Sequence, residues 1–193
     1  MGYLEGVIRT RVGYTGGSAK NPTYHDLGDH TETVQLDFDP SVVTFEQLVE
    51  VFFASHNAWY GSADRQYMSA IFFHDADQER VARAVKARVE QRTGRTLKTE
   101  IIAASTFYLA EEYHQKYALQ GDSALLAEFR GMYPDLWDMV DSTAATRVNA
   151  YLYGYGSAEQ LRAELQGLGL SAAGGAHLLE MGGDLISCPI AGQ

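Results

Sequence analysis

Between Glu32 and Phe53 the spacing of apolar residues switches from every second position to every third or fourth. Val34, Leu36 and Phe38 alternate with Thr33, Gln35 and Asp37, the period of a strand with one buried face. Asp39-Pro40 closes that run. Thr44 and Gln47 then form a capping box, and Phe45, Leu48, Val49, Phe52 and Phe53 make a helical stripe. A one-sided strand and a one-sided helix so close in sequence must bury their apolar faces, which requires helices layered on a sheet.

The rest of the first 120 residues extends this pattern. Residues 7–14 read as a strand ended by Gly16-Gly17, where glycine permits a turn with positive φ. Residues 67–73 read as a further apolar strand. A helix capped by Asp75 and Gln78 follows, with Val81, Ala84, Val85 and Val89 on its stripe and Gly94 at its end. Residues 99–103 read as a short strand and 107–119 as a helix. The order predicts an α+β two-layer sandwich, a mostly antiparallel sheet with helices packed on it, in the manner of a ferredoxin-like plait.

Residues 122–141 read as an irregular connector broken by Gly131 and Pro134. A helical tail follows, with Ser142 and Ser157 as N-caps, Gln160 completing a box with Ser157, and Gly167 and Gly169 as stops. The organisation expected is thus an α+β domain over residues 1–120 and a connector with a helical C-terminal extension over 121–193. At 193 residues the chain can bury a real core.

Bulk properties exclude several classes. A formal net charge of −10 argues against a nucleic-acid partner, which needs a basic face. The one cysteine, Cys188, leaves no internal disulfide framework and suits a reducing compartment. No apolar run is long enough to span a bilayer, and residues 1–12 hold no signal-peptide stretch. The expectation is a cytoplasmic protein with no membrane partner.

Glu32 carries the most chemistry. By alternation it shares a face with Val34, Leu36 and Phe38, and a carboxyl at the mouth of an apolar face is partly desolvated. A carboxyl that holds its proton near neutral pH can donate to an oxygen and then protonate it. A solvated strand end is the alternative. Tyr24, in the Asn21-Pro22-Thr23-Tyr24 loop, and Tyr67 could each donate a phenol hydrogen bond while walling a pocket, or be ordinary rim tyrosines. His25, Asp26, His30 and Glu32 are metal-ligand types, and His114 follows Glu111-Glu112, but the spacing matches no standard zinc pattern, so no metal is expected. Cys188 has no basic sequence neighbour to activate it.

Five segments in order resemble one family. They are Val12-Gly13-Tyr14-Thr15-Gly16-Gly17, Asn21-Pro22-Thr23-Tyr24, His30-Thr31-Glu32, Gln66-Tyr67-Met68-Ser69-Ala70-Ile71 and Phe107-Tyr108-Leu109-Ala110-Glu111-Glu112-Tyr113-His114-Gln115. Over residues 2–117 the chain resembles the A-type peptide-methionine (S)-S-oxide reductases. The resemblance implies reduction of methionine-(S)-sulfoxide, in proteins or free, as repair of oxidative damage. It implies Glu32 as proton donor, with Tyr24 and Tyr67 holding the sulfoxide oxygen. It also implies an external reductant, thioredoxin or another dithiol, with no bound cofactor.

The family's nucleophile lies in a Gly-Cys-Phe-Trp-Gly segment on a central strand upstream of the first motif. That segment has no counterpart here, so the expectation is an N-terminally truncated chain. A late start assignment, or a selenocysteine codon UGA read as a stop, would produce it. Without the segment the chain is alternatively a pseudoenzyme that binds methionine sulfoxide or a protein, or a metal-dependent hydrolase using His30 and Glu32. Cys188 matches by position the recycling cysteine that members often carry, or is a lone thiol in the tail. Two departures stand out: Asp29-His30-Thr31-Glu32 replaces Gly-His-Ala-Glu, and residues 59–65 lack the usual Gly-Asn-Asp loop, with Asp64 a poor match to its acid.

Overall fold

The computed structural model describes residues 1–182 and Leu185. It is a mixed α/β fold with two small sheets. Strands β1 (Val7–Thr15), β2 (Thr31–Phe38) and β5 (Tyr108–Leu109) form one, in the order β2-β1-β5; β3 (Ala70–Phe73) and β4 (Glu100–Ala103) form the other. β1 and β5 pair antiparallel, with Gly13 opposite Leu109 and Tyr14 opposite Tyr108. β3 and β4 run parallel, from Ala70 opposite Glu100 to Phe73 opposite Ala103. The chain divides into two compact units.

One unit comprises Val12–Val34 and Thr44–Glu111. It holds the β3-β4 pair with α1 (Phe45–Ser55) and α2 (Ala76–Thr93). The Thr44–Gln47 capping box starts α1; Asp75 caps α2, and Gly94, at φ 67°, ends it in the left-handed conformation that favours glycine. Val49 and Phe53 of α1 meet Ala82, Val85 and Val89 of α2 over Ile71 and Leu97, the expected burial of helical stripes on a strand. A second small cluster joins Tyr14, Leu27 and Ala110, with Val12 packed on it.

The other unit comprises Met1–Arg11, Gln35–Val43 and the described residues from Glu112 onward. Six helices build it: α3 (Tyr117–Gly121), α4 (Ser123–Met132), α5 (Leu136–Asp141), α6 (Thr143–Leu152), α7 (Ala158–Glu164) and α8 (Ala172–Met181). Its core is Leu119, Leu125, Phe129, Met139, Val148, Tyr151, Leu161 and Leu178, all fully buried. Buried Arg147 donates to the carbonyls of Gly2 and Leu4, and its Nε lies 3.6 Å from Glu164. Gln160 donates to the Tyr3 carbonyl at 2.5 Å. These bonds satisfy the backbone of the first turn and tie it to α6 and α7. Arg11 grips Asp141 through Nε at 2.6 Å and Nη2 at 3.2 Å, a forked pairing that lysine could not make.

Four local expectations are corrected. Residues 107–119 are not one helix: Tyr108–Leu109 pairs with β1, a 3-10 turn follows at Glu112–His114, and Lys116 sits at φ 48° before α3. The free edge of β1 offers backbone partners, such as the Val12 carbonyl for the Ala110 amide at 3.1 Å, and this tertiary bonding overrides local helix preference. Residues 122–141 are helical, because Asp122 and Asp135 each cap a helix by accepting from two backbone amides. Tyr67 lies not in a strand but in a 3-10 turn, Arg65–Tyr67, and β3 begins at Ala70. On β2 the accessible side is that of Glu32 and Val34, whereas Thr31 is buried.

Candidate active site

The site lies within the unit built from Val12–Val34 and Thr44–Glu111, and it starts from a loop locked by its own polar groups. Gly16, at φ 84°, turns the chain out of β1. A Cβ on Gly17 would lie 2.4 Å from Asp29 Oδ1, so only glycine fits there. The Asp29 carboxylate accepts from the amides of Ser18 at 2.7 Å and Ala19 at 3.0 Å, and from the Ser18 hydroxyl at 2.9 Å. Those donors hold it well below the usual carboxylate range, the Ala19 amide contributing most. Buried His30 accepts at Nδ1 from the Gly17 amide, 3.2 Å, and donates from Nε2 to the Ala19 carbonyl, 2.8 Å. The departure from Gly-His to Asp29-His30 thus brings a carboxylate that staples the Ser18–Ala19 backbone.

Onto this frame the turn Arg65–Tyr67 is fastened. Arg65 donates to the Asp29 carbonyl at 2.7 Å and the Gly16 carbonyl at 3.0 Å, while the Thr31 hydroxyl donates to the Arg65 carbonyl at 3.0 Å. Asp64 caps the turn by accepting from the Gln66 amide, 3.0 Å. Gln66 then donates through Nε2 to Glu32 Oε1 at 2.6 Å.

Tyr67, 58% exposed, lies beside Tyr24 and near Glu32. Partial desolvation, the Tyr24 phenol and the negative charge of Glu32 together push the Tyr67 phenol above its ordinary value. Tyr24 is 39% exposed, and its backbone amide donates to Glu111 Oε1 at 2.9 Å. Glu111 Oε2 accepts from the Tyr14 hydroxyl at 2.7 Å. Glu111 therefore clamps the Tyr24 loop to β1.

Glu32, Tyr24 and Tyr67, separated by up to 43 positions in sequence, converge at one accessible place. They bring a carboxyl group and two phenols together there. Glu32 is exposed rather than set into the mouth of an apolar strand face, and its partner is the Gln66 amide. Arg65, Gln66 and Glu111 are further parts of the site. Gln66 and Glu111 lie inside the recognised motifs, but nothing in their spacing marks what they touch. Both His30 ring nitrogens are spent on backbone groups, and among the described residues no three His, Cys, Asp or Glu side chains are grouped to hold a metal. Cys188 lies outside the described residues.

Residues 1–129 match the family described as peptide methionine sulfoxide reductase. A Drosophila melanogaster peptide methionine sulfoxide reductase is 43% identical over 174 residues, covering 88% of this chain and 69% of its own length. Peptide methionine sulfoxide reductase A5 of Arabidopsis thaliana is 36% identical over 78% of this chain, which spans only 61% of that relative. The solved structure of methionine sulfoxide reductase A of Corynebacterium diphtheriae superposes with a TM-score of 0.52 at 32% identity, over 61% of this chain and 65% of that one. The mixed α/β fold is thus that of the A-type sulfoxide reductases. The chain belongs to the peptide methionine sulfoxide reductase family. Among its described residues no helix is long and apolar enough to cross a membrane.

Proposed function

We propose that this chain carries the oxygen-handling half of a cytoplasmic peptide-methionine (S)-S-oxide reductase. The observation that carries the reading is the meeting of Tyr24, Tyr67 and Glu32 at an accessible surface. Two phenol hydroxyls orient the sulfoxide oxygen by donating hydrogen bonds to it. Glu32 delivers the proton without which that oxygen cannot leave sulfur. The electron pair comes from a thiolate or selenolate attacking the sulfur. Overall, methionine sulfoxide and a dithiol become methionine, a disulfide and water, so the reductant is external, thioredoxin or another dithiol, and no cofactor takes part.

The printed chain holds one thiol, Cys188. By resemblance to the family, we assign the nucleophile's role to a Gly-(Cys or selenocysteine)-Phe-Trp-Gly segment. The direct test assays two forms with the (S)- and (R)-sulfoxides of N-acetyl-methionine and dithiothreitol. With the segment joined to Met1, the (S) form alone is turned over; the printed chain turns over neither. Turnover by the printed chain that vanishes in Cys188→Ser would transfer the nucleophile's role to Cys188. A form with the segment that binds the (S)-sulfoxide without reducing it would favour a pseudoenzyme.

A further inference from the structure

The oxygen site depends on a turn that cannot hold itself. Arg65–Tyr67 is a 3-10 turn of three residues, and so short a helical piece has little intrinsic stability. Yet it supplies two of the site's groups: Gln66, which meets Glu32, and Tyr67, which meets Tyr24. Besides those two contacts, three hydrogen bonds tie the turn to the rest of the unit through one residue. The Arg65 guanidinium spans the carbonyls of Asp29 and Gly16, and the Arg65 carbonyl receives the Thr31 hydroxyl. The anchoring points are themselves fixed, Asp29 by Ser18 and Ala19, and Gly17 by His30.

We propose that Arg65 is a positioning residue for the sulfoxide-oxygen site: its fork on the Gly16 and Asp29 carbonyls sets the turn so that Tyr67 faces Tyr24 and Gln66 faces Glu32. The proposal rests on the reading of Tyr24, Tyr67 and Glu32 given above. Guanidinium suits the task. It is planar, it remains charged at every working pH, and it reaches two acceptors at once, whereas an ammonium group cannot reproduce the fork. The arrangement bears on catalysis because hydrogen-bond donors act on a reacting oxygen only from the right place. A misplacement of about 1 Å can cost on the order of 10²-fold.

The experiment labels the tyrosine rings of the full chain with carbon-13 and follows each phenol by NMR, Tyr67 being assigned through Tyr67→Phe. Arg65→Lys keeps the charge and breaks the fork. The expected result is a downward movement of the Tyr67 titration toward the ordinary tyrosine value of about 10, because the turn carries Tyr67 away from Tyr24 and Glu32. Thr31→Val, which leaves the fork intact, moves it less. These readings are taken well below the thermal midpoint of each variant. A purely structural role for Arg65 would lower the midpoint and leave the Tyr67 titration unmoved in the folded protein, and that outcome overturns the proposal. Arg65→Ala serves as a third variant only if it folds; Arg65→Lys and Thr31→Val decide the matter without it. Binding of N-acetyl-methionine-(S)-sulfoxide, followed on the same spectra, separates the two levels. The Lys variant should bind about tenfold more weakly, since one misplaced donor weakens a hydrogen bond without removing it. If the unaltered chain binds no sulfoxide, the functional reading fails, while the Tyr67 titration still reports on Arg65.

Discussion

Lys116 illustrates how much a single buried side chain can impose. Its Nζ donates to the Thr10 carbonyl and, at 3.2 Å, to the Thr10 hydroxyl, tying α3 to β1. Burial pushes its ammonium down to about 7, only partly offset by the attraction of Asp141, with Arg11 adding to the decrease. The sign follows from linkage. Below about 7 both folded and unfolded chains carry the charge, and the folded state bears the full cost of burying it. Between about 7 and the unfolded value of 10.5 the folded chain holds fewer protons, so stability rises with pH. The gain is on the order of a few kcal/mol across that window. Urea midpoints of the natural chain should therefore climb from pH 7 to 10 relative to those of Lys116→Met, and parallel curves would show that Lys116 is not buried as a base. Sequence could not foresee this. Nor could it orient Glu32: a period of two says that Glu32, Val34 and Leu36 share a face, not which face is covered. What an exposed carboxylate touches is set by another segment, here Gln66, 34 positions away.

At the level of elements, the helices with strong caps were legible and those made by tertiary bonding were not. The Thr44–Gln47 box appears as read, and the Asp75 to Gly94 span keeps its cap and its stop, but Ala82 rather than Ala84 is buried on its stripe and the Gln78 side chain accepts from the His74 amide instead of closing a box on Asp75. The 107–119 segment has helical composition, yet β5 forms there because β1 supplies an open edge, a partner invisible in local sequence. Residues 122–141 fail the other way. Gly131 and Pro134 looked like breaks, but Pro134 merely precedes the Asp135 cap, and Gly131 lies inside α4. Two glycines make the point testable. A Cβ on Gly13 would lie 2.2 Å from the Tyr108 carbonyl and 2.5 Å from the Phe107 ring, so Gly13→Ala must push β5 off β1. A loss of about 1–3 kcal/mol in denaturant unfolding is expected. A Cβ on Gly131 meets nothing within 4 Å, so Gly131→Ala should raise stability by about 0.5–1 kcal/mol. Equal effects of the two substitutions would contradict the pairing of β1 with β5.

Taken as a whole molecule, the chain holds its candidate site in one compact unit and a helical core around Leu119, Phe129, Val148 and Tyr151 in the other. The fold class was legible because the change of hydrophobic period from β2 to α1 admits few layered solutions. The division of the chain was not, because strands β1 and β2 contribute residues to both units. The central claim is that Glu32 gives its proton to the sulfoxide oxygen while Tyr24 and Tyr67 hold that oxygen. The measurement that tests it most directly is the single-turnover rate of methionine-(S)-sulfoxide reduction by the form bearing the Gly-Cys-Phe-Trp-Gly segment, compared with its Glu32→Gln variant. The amide preserves shape but cannot transfer a proton, so the rate at neutral pH should fall about 10²–10⁴-fold with little change in substrate affinity. Tyr24→Phe and Tyr67→Phe should each cost less, since each removes one donor and leaves the acid in place. The Glu32→Gln loss should shrink as pH falls and solvent supplies the proton. A Glu32→Gln variant with near-full activity at neutral pH would contradict the account and leave Glu32 as a solvated partner of Gln66.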